Sequence, residues 1–149
     1  MNGQKIADIL EIQSLLARYA FAIDARDFDQ LDRVFTPDAM IDYTATGGAR
    51  DPYPRIKPWL AQAMANFPYS QHLIGLPLID LTGDTARSRV MLFNPMQAGP
   101  DRGGLFFCGA TYEDELVRTA EGWRIARRTL TDCWFKDPPD GLPVPQLEG

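Results

Sequence analysis

The chain has 149 residues, 45% of them hydrophobic and 23% charged, and a formal net charge of −5, which fits one domain with a continuous core that needs no disulfide or metal staple. The acidic balance and the lack of any Lys/Arg run argue against nucleic acid or an anionic membrane as the main partner. MNGQKIADIL lacks the charged-then-apolar order of a signal segment, and no apolar stretch approaches the roughly 18 residues of a membrane span, so a cytoplasmic protein is expected.

Ile6, Ile9, Ile12, Leu16, Tyr19 and Ile23 recur at intervals of three and four, which predicts a helix over 6–23 with one buried stripe. At roughly 100° per residue, Asp24 falls on the side of Ile6, Ala17 and Ala20, opposite Glu11, Ser14 and Arg18. A carboxylate there needs a partner, because burying it unpaired is costly. DFDQLDRVF predicts a second short helix with Phe28, Leu31, Val34 and Phe35 inward, stopped by Pro37. AMIDYTA reads as a strand ended by Gly47–Gly48, GGARDPYPR as a loop, and IKPWLAQAMANF as a third helix with Pro58 in its first turn and Pro68 closing it.

After Ser70 the period changes. HLIGLPLIDL, which reads as a buried strand, pairs through TGD with TARSRVMLFN, and GGLFFCGATYEDELVRT pairs through AEG with WRIARRTLTDCWF. Helices followed by long antiparallel hairpins predict an α+β fold: a strongly curved, mostly antiparallel sheet with three helices over its concave face and a cavity between the layers. Residues 1–136 are expected to form a single domain, with 137–149 as a Pro-rich irregular tail. Cys108 and Cys133 lie in apolar strands and read as buried thiols rather than a disulfide or a nucleophile.

His72 is the only histidine, and it opens the first strand of the hairpins. Paired with Asp24 across a cavity, it would have its tautomer fixed and its basicity raised, leaving the other nitrogen to take a proton from a carbon next to a carbonyl. The alternative is a purely structural hydrogen bond between two buried polar groups. Tyr19 and Tyr43 suit the role of donor to an enolate-like oxygen, or else are core aromatics. Asp42 precedes Tyr43 on a strand and should point to the other face. Asn94 is a candidate second polar contact, or a strand-end residue before Pro95. Trp59, Met64, Met91, Phe106 and Trp134 are candidate substrate-binding apolar residues if a cavity exists. Arg124, Arg127 and Arg128 read as a solvated face, and Gly103–Gly104 is too short for a phosphate loop. One histidine without clustered cysteines or carboxylates argues against a metal, and no cofactor is implied.

RYAFAID with Tyr19 and Asp24, LDRVFTPDAMIDY ending at Asp42–Tyr43, and a strand-opening His72, in the order αα-β-α-ββββ, together resemble the SnoaL-like branch of the NTF2-like superfamily. Within it they are most similar to the scytalone dehydratase and bile-acid dehydratase group. The resemblance implies the cone-shaped α+β fold and a cofactor-independent lyase or isomerase acting on a small cyclic or aromatic hydroxylated compound. It also implies a homodimer or homotrimer. The fungal dehydratase pattern has a second pocket histidine where Asn94 stands here, and an amide can hydrogen-bond a leaving hydroxyl but cannot protonate it. The same fold also serves as non-catalytic binding or accessory subunits, which is the alternative reading.

Overall fold

A computed structural model of the chain describes residues 2–99 and 104–142. The tail from 143 onward and Gly103 lie outside the described residues, and Leu142 packs against the core. Helix α1 spans Gly3–Ala25, with Asn2 as its N-cap accepting from the Lys5 N–H at 2.9 Å. Its buried stripe is Ile12, Leu15, Leu16, Tyr19, Ala20, Ala22 and Ile23. Ile6, expected to be buried, is 48% exposed. Asp8 takes the inward position instead, receiving two 2.8 Å bonds from the Arg118 guanidinium and a 3.0 Å bond from the Trp123 indole N–H.

The second expected helix is a 3₁₀ turn over Phe28–Arg33, and strand β1 (Phe35–Asp42) starts before Pro37 instead of after it. Proline is tolerated because β1 pairs in parallel with the last strand at Phe35 and again from Met40, with a register shift between them. A short strand β2 (Arg50–Pro52) folds back on β1. Helix α2 (Tyr53–Met64) begins earlier than expected: Pro54 takes the first-turn position, and Pro58 lies inside the helix.

The run HLIGLPLIDL is not one buried strand. It divides into β4 (Leu73–Ile74) and β5 (Leu78–Thr82), preceded by β3 (Tyr69–Ser70), and all three pair with β6 (Thr85–Gln97). Leu73, Leu76 and Leu78 face outward and are largely exposed. β6 pairs with β7 (Phe106–Thr119), and β7 with β8 (Gly122–Lys136). The sheet therefore runs β2-β1-β8-β7-β6, with β3, β4 and β5 along its far side. It is the expected α+β cone, a curved, unclosed sheet with both α-helices on one side.

Alternation on β6 sends Val90, Leu92, Asn94 and Met96 inward and Met91 and Phe93 outward. On the outer face the Trp134 ring lies flat on Gly109, where an added Cβ would sit 2.0 Å from the indole. No described helix is long and apolar enough to cross a membrane.

The bonds from Arg118 and then Trp123 hold the Asp8 carboxyl well below the usual carboxylate range. A depressed folded-state pKa contributes stability above the unfolded value of about 3.9, and that stability is lost as pH falls through the folded value. Asp8→Asn should therefore be clearly less stable than the natural chain between pH 5 and 7. The gap should narrow progressively below about pH 4, as read from urea midpoints across pH.

Candidate active site

Asp24 lies in the last turn of α1, and the residue after the helix, Arg26, takes a left-handed conformation (φ 58°) that ends it. The carboxylate is met by the segment that joins α2 to β4. Its Oδ1 accepts from His72 Nδ1 at 2.7 Å and from the Ser70 hydroxyl at 2.9 Å, and its Oδ2 accepts from the His72 backbone N–H at 2.7 Å. Partial burial pushes the Asp24 pKa up, but the bonds and charge of His72, with help from Ser70, outweigh that and lower it below the ordinary value.

The ring's two nitrogens face groups of opposite character. Asp24 can only accept, so Nδ1 carries the proton. The Asn94 amide nitrogen can only donate, and it lies 3.3 Å from Nε2, which therefore presents its lone pair. The buried Asn94 Oδ1 has no hydrogen-bond partner among the described residues. A half-turn of the amide would set that oxygen against Nε2, so Asn94 can serve a neutral ring as donor and a protonated ring as acceptor.

His72, Asn94, Tyr19 and Tyr43 line a cavity of about 110 Å³ together with Trp59, Met64, Phe67, Leu92, Cys108 and Tyr112. The Tyr19 and Tyr43 hydroxyls are 2.6 Å apart, and the Tyr19 ring meets the His72 ring edge-on at 6.5 Å. Burial raises both phenol pKa values well above the ordinary one, so both keep their protons and remain donors. The turn that carries Tyr43 can lie against Trp59 because residue 48 is glycine: a Cβ there would be 2.8 Å from the indole. Burial pushes the Cys108 thiol up to about 12, which keeps this cavity-lining sulfur protonated, and both described cysteines are free.

Seven of the ten candidate site residues thus come together: Asp24, His72, Tyr19, Tyr43, Asn94, Trp59 and Met64. Phe106 is buried behind Phe67, with ring centroids 5.8 Å apart. Met91 and Trp134, 72% and 50% exposed, lie on the opposite face of the sheet and do not reach the cavity. Asp42 stays outside and caps the next turn, accepting from the Thr44 N–H at 3.0 Å.

The main correction concerns Arg128, expected on a solvated face. It is 1% exposed, forms a two-pronged pair with Asp114 (2.8 Å on each prong), and stacks its guanidinium against Tyr112 at 4.0 Å and Tyr19 at 4.3 Å. The cause is a bulge. Glu115 pairs with Arg127 but Leu116 pairs with Ile125, so Ala126 is extra and inward parity passes from Ile125 to Arg128. The partner was visible in principle, since Tyr112, Asp114 and Leu116 alternate on β7 and all three face inward. Ser70 and Arg26 carried no sequence signal.

Removing one member of a buried pair strands the other charge. Asp114→Ala should cost about 3–5 kcal/mol in urea unfolding. Arg127→Ala, which removes an exposed arginine one residue along the strand, should change stability by less than about 1 kcal/mol.

The SnoaL-like domain profile matches residues 4–129. The uncharacterized protein Rv2910c of Mycobacterium tuberculosis is 54% identical over 136 residues, covering 91% of this chain and 92% of that protein. Among solved structures, the Kfla4162 protein from Kribbella flavida superposes with a TM-score of 0.82 at 26% identity, over 89% of this chain and 95% of that one. A Novosphingobium aromaticivorans protein, provisionally assigned as a scytalone dehydratase, shares the fold with a TM-score of 0.82 at 19% identity, over 95% and 98% of the two chains. With the match spanning most of the sequence, the chain belongs to the SnoaL-like domain family.

Proposed function

We propose that this protein is a cofactor-independent lyase or isomerase that removes a proton from the carbon next to a carbonyl in a small, uncharged cyclic compound. The observation that carries the reading is the 2.7 Å bond from His72 Nδ1 to Asp24, with Nε2 left as an acceptor facing the cavity. In this reading the Asn94 amide gives up its bond to Nε2, Nε2 takes the α-proton, and the imidazolium that forms is held by Asp24. The electrons of the broken C–H bond move toward the carbonyl oxygen, which receives a hydrogen bond from the Tyr19–Tyr43 pair. Collapse of the enolate then expels a β-hydroxyl, with Asn94 hydrogen-bonding that hydroxyl and His72 returning its proton to release water. Return of the proton to another carbon would give isomerisation instead.

Apart from Thr46 the rest of the cavity wall is apolar or aromatic, no lysine or arginine lines it among the described residues, and Arg128 behind it is neutralised by Asp114. That favours an uncharged substrate. The provisional dehydratase name of the Novosphingobium relative agrees with the loss of water but comes with similarity of fold alone. A cytoplasmic dimer or trimer belongs to the same proposal. It is supported by Leu76, Leu78, Met91 and Trp134, which leave an apolar patch on the outer sheet face.

The test is a panel of cyclic β-hydroxy ketones, followed by the ultraviolet absorbance of the enone product. Turnover by the natural chain should fall by about 10²–10⁴ in Asp24→Asn and in His72→Gln. Binding without turnover, unchanged by Asp24→Asn, would instead support a non-catalytic binding domain.

A further inference from the structure

Asp24 and His72 sit on chain segments far apart in sequence, and the side chain that fastens those segments together is Arg26. Its Nη1 donates to the Ile23 carbonyl at 2.7 Å, at the end of α1, and to the Ser70 hydroxyl at 2.9 Å. Its Nη2 donates to the Phe67 carbonyl. One guanidinium thus grips both the helix end that presents Asp24 and the stretch that presents His72.

We infer that Arg26 and Ser70 form a positioning relay that fixes the Asp24–His72 pair in its working hydrogen-bond arrangement. Arg26 has donors only, so the Ser70 oxygen must accept from it. The single Ser70 proton is then directed at Asp24 Oδ1, the oxygen that also accepts from His72 Nδ1. With Oδ1 taking these two donors and Oδ2 taking the His72 backbone N–H, the carboxylate cannot rotate without breaking three bonds. A locked carboxylate holds the neutral ring in the tautomer with hydrogen on Nδ1 and the lone pair on Nε2. The position gives a long side chain a use at a left-handed helix end where glycine or asparagine would be less strained. From there the guanidinium reaches back across the end of its own helix.

The inference rests on the dyad reading above but needs no substrate to test. The ¹⁵N shifts of the His72 ring, recorded where the ring is neutral, separate the two tautomers, and the protein has no other histidine to confuse them. The natural chain should show one tautomer, with hydrogen on Nδ1. Ser70→Ala and Arg26→Asn should give a mixture of tautomers in exchange, while Ser70→Thr should restore the natural pattern. Asparagine suits the left-handed cap, so Arg26→Asn removes the guanidinium and its bonds while keeping the backbone turn that ends the helix, and backbone amide shifts verify the fold of each variant. If Ser70→Ala and Arg26→Asn keep the natural ring pattern, the relay is overturned while the dyad stands. If the natural chain itself carries its proton on Nε2, the dyad reading fails first.

Discussion

The carboxylate of Asp24 brings a charge to the junction of a helix end and a sheet edge, where desolvation alone would favour its protonated form. Three donors from one short segment reverse that preference, and they do more than satisfy the oxygens. They join α1 to the chain between α2 and β4, they fix which nitrogen of His72 holds its proton, and they turn the other nitrogen toward the cavity. Each polar group around the cavity is intelligible from this one constraint. Asn94 meets the Nε2 lone pair, the tyrosines stand beside the ring as donors, and Ser70, which accepts from Arg26, turns its one proton to Asp24.

A second charge pair forms the floor beneath the tyrosines. Arg128 and Asp114 are both almost wholly buried, and the desolvation cost of such a pair is offset only when geometry is good and both prongs are made, as they are here. Placing the guanidinium against Tyr19 and Tyr112 orients the aromatic wall and brings positive potential close to the phenols. Burial raises the phenol pKa values and the arginine opposes that rise. The result is hydrogen-bond donors that keep their protons and sit in a positive field, which suits an oxygen that gains negative charge during reaction.

Much of this was legible in the sequence. The periodicity of α1 places Tyr19, Ile23 and Asp24 correctly because helical spacing is rigid, and the long hairpins follow from the apolar strand runs and the turn signals TGD and AEG. The pairing of Asp24 with His72 was readable because a carboxylate on an apolar helix face needs a partner, and the chain offers one imidazole. What failed depends on strand register and tertiary pairing. The bulge at Ala126 inverts the parity of β8 and buries Arg128, and no local pattern announces it. Pro37 reads as a stop signal but sits in an unpaired stretch of a parallel strand. HLIGLPLIDL is apolar enough for a core strand, yet Leu73, Leu76 and Leu78 lie on the outer face, because composition does not say which side of a sheet is covered. Met91 and Trp134 were misplaced for the same reason.

The central claim is that His72, backed by Asp24, is a base acting on a carbon beside a carbonyl. Proton exchange tests this without requiring any leaving group. With cyclohexanone in D₂O, NMR should show deuterium entering the α-positions under the natural chain, at a rate about 100-fold or more above that with His72→Gln. Equal rates with the two proteins, while shifts of Trp59 and Met64 show the ketone bound in the cavity, would contradict the account.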